Sequence, residues 1–356
     1  MSVSPNRDHT RAPVSNAAVP STPGERDNAL RFRAGQSRGH VESHFLKANS
    51  PDGLRALWIK HTVLSTAAAQ AQQVAEVWAI AFERDSLTGP VRKVALKRTF
   101  PLASAELGDA PFCFSVGGSE LRHGRARALL PAQAADAGAD WDLQYRCPEA
   151  AFRPYPRPSM YTGAFPRSKS LTPVPQAKAR GHFQLGALRW DVDGYWLAQG
   201  HNWGHSHAAA YAWAQINAFE GTPDAWFEAL TGKVRVGPFT TPYMSVAALY
   251  LDGELHRFDG LRAMLGSEAR IDQRSYALTA RTGRAELRLT ISAEAHAFAG
   301  LRYQDPDGRT LDCLNSKLAG GEVRLTVHGR TRTLRTSMGA LELGTREPGH
   351  GITMLV

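Results

Sequence analysis

Short stretches in which apolar and polar residues alternate, each closed by a turn-forming dipeptide, run through most of this chain, while the 3.6-residue period of an amphipathic helix is scarce. Successive side chains of a strand point to opposite faces, so such alternation marks half-buried strands. Gly53–Ser65, Val74–Arg84, Val91–Phe100, Arg180–Asp191, Ala209–Phe219, Tyr243–Leu251, Arg270–Ala280, Ala285–Ala293 and Glu322–Val327 all read this way. Between them lie Asp52-Gly53, Thr88-Gly89, Asp193-Gly194, Asp252-Gly253, Thr282-Gly283, Asp305-Pro306-Asp307-Gly308 and Gly320-Gly321. These supply the positive φ or the fixed proline φ that tight connections need. Without intervening helices the strands are expected to pair as antiparallel sheets rather than as a doubly wound parallel one. The expected class is all-β, with a short helix at Pro223–Leu230 as the exception.

At 356 residues, the chain has room for two domains or one large all-β domain. Its 43 % hydrophobic and 21 % charged residues exclude collagen-like, wholly disordered and coiled-coil classes. No uninterrupted apolar run reaches the roughly 18 residues of a membrane-spanning helix. The net charge of +9 invites a nucleic-acid partner, but 34 of the 42 basic residues are Arg and they are spread along the chain. Residues 1–40 carry 6 basic against 3 acidic residues, 41–207 carry 19 against 14, and 208–356 carry 17 against 16. No nucleic-acid-binding motif accompanies them, so no nucleic-acid partner is expected. Cys113, Cys147 and Cys313 are odd in number and far apart, which gives neither a disulfide framework nor a thiolate zinc site. Residues 1–38, rich in Pro, Ser, Ala and Arg, read as a disordered tail without the apolar core of a secretory signal, and the expected location is cytoplasmic.

One segment departs from this even background. Residues 148–175 hold seven prolines and are expected to form a long irregular loop (148–178) rather than an inner strand. From Ala150 to Trp190 there is no acidic residue, against seven basic ones, and Phe152, Tyr155, Met160, Tyr161 and Phe165 are interleaved with them. Such a loop is either simply solvated, or a lip over an apolar pocket, or a peripheral contact through 150–190 with an anionic membrane or a carboxylate-bearing lipid.

The densest aromatic cluster follows, in Gly194–Phe219. Its end, Tyr211-Ala-Trp213-Ala-Gln215-Ile-Asn217-Ala-Phe219, places Tyr, Trp, Gln, Asn and Phe on one face of a strand. Aromatics with a few amides either line a cavity for a large apolar ligand or fill a barrel core. His201, His205 and His207 could ligate a metal, but no H-E-x-x-H pattern accompanies them and no metal is expected. Nor is there a nucleophile elbow, a P-loop or a dinucleotide fingerprint, so no cofactor is expected.

The span Phe165–Phe219, with Asn202-Trp203-Gly204 and then Trp213-Ala214-Gln215, resembles the tocopherol cyclase-like proteins and the related carotenoid hydratases of the hydroxyneurosporene synthase and AttH type. Cys313-Leu-Asn315-Ser316-Lys317 is similar, less specifically, to a C-terminal segment of the cyclases. His201-Asn202-Trp203 and Tyr250-Leu251-Asp252 correspond to the hydratases' His-x-Trp and Tyr-x-Asp. Where tocopherol cyclases place an acidic–basic pair before Asn-Trp-Gly, this chain has Gly200-His201. The resemblance implies two lipocalin-like antiparallel β-barrels side by side with few short helices, barrel 1 over 39–207 and barrel 2 over 208–356.

It also implies chemistry: protonation of an alkene in a hydrophobic isoprenoid or polyene-like small molecule, followed by capture of the cation by water or an internal hydroxyl. A buried carboxylic acid, aromatic walls and a base are needed. The expected assignments are Asp252 as acid with Tyr250 beside it, His201 as base, and Trp203 and Trp213 as cation-stabilising walls. Asn202, Gln215 and Asn217 would orient the ligand's polar end, with Tyr211 and Trp196 as further substrate contacts. Asp252 precedes Gly253 and reads equally as a turn residue. A non-catalytic lipid-binding protein would need the same aromatic cavity without the acid, and an interaction domain would have filled barrels.

Overall fold

Two curled antiparallel sheets, each rolled around its own apolar core, stand with their outer faces together. A computed structural model describes residues 23–36, 38–66, 72–134, 136–148, 151–233, 235–236 and 239–356. The first sheet contains β1 (His40–Asn49), β2 (Arg55–Ser65), β3 (Gln73–Glu83), β4 (Arg92–Pro101), β5 (Glu106–Asp109) and β6 (Phe112–Val116). It continues with β7 (Ser119–Arg122), β8 (Arg125–Leu130), β9 (Ala139–Tyr145), β10 (Ser168–Leu185) and β11 (Leu188–Gly204). The second contains β12 (Ala210–Ile216), β13 (Trp226–Lys233), β16 (Met244–Leu251), β17 (Glu254–Phe258), β18 (Glu268–Ile271) and β19 (Ser275–Arg281). β20 (Ala285–Ser292), β21 (Ala299–Gln304), β22 (Thr310–Val327) and β23 (Arg330–Thr345) complete it, and β14 (Arg235–Val236) and β15 (Phe239–Thr240) form a separate small ribbon. Three short helices, α1 (Pro23–Asn28), α2 (Ser159–Thr162) and α3 (Leu261–Gly266), decorate the sheets, so among the described residues the fold is nearly all-β.

Alternation places the two faces. On β1 and β2, Leu46, Ala48, Leu57, Ile59 and Val63 point into the first sheet's core, while Phe45, Trp58 and Ala56 point outward into a third core shared with the second sheet. On β12, Ala212, Ala214 and Ile216 face the second sheet's core, and Trp213 faces the shared one. β1 is buried along its whole length because both faces are covered. Polar cross-links stitch this interface. Lys47 Nζ donates to Asn217 Oδ1 at 2.7 Å, and Asn49 Nδ2 donates to the Lys317 carbonyl at 2.7 Å.

Three expectations are corrected. Pro223–Leu230 is not a helix: its second half opens β13, where Phe227 and Ala229 face the second core and register with β12 extends the pairing. Arg180–Asp191 is not one strand but a hairpin turning at Gly186 between β10 and β11. Pro173 and Pro175 lie inside β10, made tolerable by register shifts at Leu171/Val174 and Val174/Ala177 and by the absence of a β9 partner before Ala179.

Most of the expected tail lies outside the described residues, but 23–36 pack against the first sheet. Glu42, buried, accepts hydrogen bonds from the backbone N–H groups of Arg31 and Phe32 and from His40 and His201, the last at 2.8 Å. His201 also donates from Nδ1 to the Asp27 carbonyl, and His44 donates from Nε2 to the Asn28 carbonyl. Burial by itself would raise the Glu42 pKa, but the hydrogen bonds from His201 and His40 drive it far below the ordinary 4.5. Burial also holds His44 well below 6.5. Both depressed values stabilise the fold above the unfolded pKa and lose that contribution on acidification, from 6.5 downward for His44 and from 4.5 downward for Glu42. Glu42→Gln is expected to cost about 3 kcal/mol at pH 7 in urea denaturation, with the gap to the parent narrowing as the pH falls below 4.5.

Candidate functional site

Where the two sheets part, a cavity of about 1000 Å³ opens. Its walls come from the outward faces of β1, β2, β12, β16 and β23, with Phe45, Trp58, Tyr211, Trp213, Met244 and Tyr303 among them. Both sheet interiors are filled by their own apolar clusters, so the cavity lies between the sheets rather than inside either. Two glycines shape it. Phe45 lies across from Gly200 and Tyr211 across from Gly344, and a Cβ at either glycine would overlap the facing ring. Phe45 meets Trp213 edge to face at 5.6 Å. The Pro-rich segment forms one side of the mouth, through Tyr155, Arg157, Met160, Phe165 and Arg167.

His207, Glu342 and Lys60 stand out among the titratable groups of the walls. His207 gives Nδ1–H to Asp305 Oδ1 at 2.8 Å, and its backbone N–H donates to the same oxygen at 2.7 Å. This fixes the tautomer and leaves Nε2 as the free acceptor. Burial lowers the His207 pKa below 6.5, against the opposing pull of Asp305, so the neutral ring is favoured. Burial alone would raise Asp305, but hydrogen bonds from His207 and Arg346 bring it down to about 2. Glu342, between Leu341 and Leu343, turns outward to the cavity and accepts from Lys317 Nζ at 2.7 Å and Asn315 Nδ2 at 3.2 Å. Burial lowers Lys317. Lys60, 4 % exposed, rests its ammonium 3.7 Å from the centre of the Tyr303 ring. Behind Trp213, whose Nε1 donates to Glu228 at 3.1 Å, burial raises the Glu228 carboxyl to about 7.

The residues singled out from the sequence divide. Asn202, Trp203, Tyr211 and Trp213 line the cavity. His201 does not: it is sealed in the first sheet's end against Glu42 and stacks on His44 at 3.9 Å. Gln215 donates to the Pro175 carbonyl and Asn217 accepts from Lys47, so both brace the interface away from the cavity wall. Trp196 packs under Lys178. Tyr250 stacks on Trp226 at 6.1 Å. Asp252 sits in the β16–β17 turn at φ +52°, 62 % exposed and paired with Arg332 at 2.9 Å, without the apolar surroundings that a buried acid needs.

Likewise the three histidines of the aromatic run separate, His205 going to the Gly39 carbonyl and His207 to Asp305. Glu42, His44 and His201 do bring ligand atoms within 4.8 Å of one another. Both Glu42 oxygens accept N–H donors and both His201 nitrogens face oxygen acceptors, which leaves His44 Nδ1 as the one unpartnered ligand atom of the three residues, and a single free lone pair does not make a cation site.

Sequence reasoning missed Glu342, the His207–Asp305 pair and Lys60. Lys60, after Ala56–Ile59, and Glu342, within Met338–Leu343, had a signal, one charge set into an apolar stretch, but alternation cannot show that the face it occupies is covered by another sheet.

The family model for tocopherol cyclase-like proteins matches residues 139–345. The chain belongs to the tocopherol cyclase-like family. Its fold is the lipocalin-like one of AttH from Nitrosomonas europaea, at 16 % identity over 94 % of this chain and 98 % of that one, TM-score 0.51. It is similar too to CghA, at 13 % identity over 95 % of each chain, TM-score 0.55. Kievitone hydratase from Nectria haematococca matches at 10 % identity over 92 % and 96 %, TM-score 0.50. No curated protein matches the sequence. No described helix is long and apolar enough to cross a membrane.

Gly344→Ala tests the wall directly. The displaced Tyr211 ring is expected to lower stability by about 1–3 kcal/mol, read as a fall in the urea midpoint, and to shrink the cavity.

Proposed function

We propose that the chain is a cyclase or hydratase of hydrophobic, isoprenoid- or polyene-like molecules, working in the cavity between the sheets. The observation that carries this reading is the presence on one aromatic wall system of a carboxyl, Glu342, and of a histidine base held by Asp305. Family membership and the cyclase and hydratase names of relatives support it.

Lys317 Nζ donates to Glu342 at 2.7 Å, and burial makes the Lys317 cation costly, so Lys317 is placed to pass a proton to the carboxyl. With the proton on Glu342, the carboxyl delivers it to an alkene carbon, leaving a carbocation on the neighbouring carbon. The faces of Trp213, Tyr211 and Tyr303 stabilise that charge. Water or a substrate hydroxyl bonds to the cationic carbon and gives its proton to His207 Nε2, completing hydration or ring closure. Return of that proton to the Glu342–Lys317 pair resets the site.

The test is incubation of the full chain with prenylated quinols and polyenes in D₂O, with products read by mass spectrometry. Turnover should add one deuterium to carbon, with or without the mass of water. Glu342→Gln and His207→Gln should each lower the rate by about 10²-fold or more while ligand is still bound. Full activity in both variants overturns the mechanism, and ligand retention without turnover by the parent chain points to a carrier.

The mouth suits loading from a lipid surface. Phe165, Leu261 and Leu265 are 46 %, 60 % and 65 % exposed, the last two on one face of α3, beside Arg157, Arg167 and Arg262. Sedimentation with vesicles containing anionic phosphatidylglycerol is expected to carry the chain down, and the double variant Leu261→Ser, Leu265→Ser to weaken this about tenfold. Equal sedimentation with neutral phosphatidylcholine vesicles removes the electrostatic part.

A further inference from the structure

We propose that Lys60, with Trp58 beside it, is the receptor for an anionic oxygen on the ligand, so that the cavity takes an apolar body ending in a carboxylate or enolate. This rests on the reading of the cavity as a ligand site, and it adds the chemical class of the ligand's polar end.

Lys60 and Trp58 are two residues apart on β2, and their side chains leave the same face of the strand into the shared interface. Both are almost wholly buried and both line the cavity. An ammonium carries three donors and no acceptor. The other buried cations of this region have oxygens to meet: Lys47 has Asn217, Lys317 has Glu342 and Asn315, and Lys169 has the Pro166 carbonyl. At the wall, Arg309 is held by Asp307 and Arg346 by Asp305. Among the described residues Lys60 has no hydrogen-bond or ion-pair partner: the ring faces of Tyr303, Trp78 and Trp58 lie against its ammonium, and Glu342 and Glu76 act on it only through space. Trp58 Nε1 is a second buried donor without a partner.

The carboxylate that acts most strongly on Lys60 does not complete the site. Glu342 attracts the ammonium through space, but its hydrogen bonds go to Lys317, Asn315 and Cys313. Burial brings Lys60 down to about 8, so at neutral pH it is still charged. Leaving such a charge among ring faces is costly unless an acceptor arrives, and the open side of Lys60 is the cavity itself. The rim adds the same sign. Arg157 and Arg167 are exposed at the mouth, and Glu342 is the one acidic side chain among the described lining residues. An amphiphile with an anionic head enters along this gradient head first, and its apolar body then meets Phe45, Tyr211 and Trp213.

Two fluorescent probes with one body test this: 11-(dansylamino)undecanoic acid and its methyl ester, titrated into the full chain at pH 7. The parent should bind the acid about tenfold or more tighter than the ester, the scale of one charge-assisted hydrogen bond. Lys60→Met should abolish the preference with ester affinity unchanged, and Lys60→Arg should retain it, which separates loss of charge from loss of fold. Equal affinity of the parent for acid and ester, or a preference surviving Lys60→Met, overturns the assignment and leaves the cavity reading standing. Binding of neither probe overturns both.

Discussion

The covering of one sheet's outer face by the other governs the rest of this structure. A curled sheet ordinarily keeps its apolar face inward and leaves the other to water. Here β1, β2, β12 and the Gly339–Gly344 part of β23 have no watered face, so polar residues that alternation would put at the surface lie in an apolar interface. Apart from Lys60 and the Trp58 Nε1, which face the cavity, these groups pair inside, and the sheets are held in register by the partners found: Lys47 with Asn217, Asn49 with the Lys317 carbonyl, Lys317 with Glu342. Lateral slippage of one sheet over the other would leave several buried charges unmatched at once.

The cavity follows from the same constraint. Large rings at Phe45, Trp58, Tyr211 and Trp213 cannot interdigitate everywhere, and glycines at 200 and 344 let two of them lie flat over the opposing strand. The sheets therefore touch along one region and part along another. Charged groups placed where they part retain an apolar environment on one side and an open space on the other. That combination shifts proton affinities and admits a ligand to the groups so shifted.

Much of the fold was legible. Alternation at Val74–Arg84 and Ala285–Ala293, the turn dipeptides other than Gly320-Gly321, which lies inside β22, and the side shared by Tyr211, Trp213, Gln215 and Asn217 are local properties, and a strand's period of two carries them directly. Pro223–Leu230 misled because a short apolar run has no period that separates helix from strand. The prolines at 173 and 175 misled because bulges and a missing neighbour relax the rule against them. The site was less legible. His201 and His207 differ by six residues, and nothing local says that one is sealed behind Glu42 while the other meets Asp305, nearly a hundred residues away. Asp252 resembled an acid by motif and proved to be a turn residue by backbone.

The segment 23–36 bears on the order in which the chain can be assembled. Its backbone carbonyls at Asp27 and Asn28 are held by His201 and His44, and the Asn28 side chain by His123 and Gln199. Most of those partners emerge from a ribosome long after the segment itself, and His201 and Gln199 complete the strand that closes on β1. A segment synthesised before most of its partners can thus be placed only after they have been made. It works as a stopper set into a vessel already formed, waiting outside while nearly two hundred residues are made.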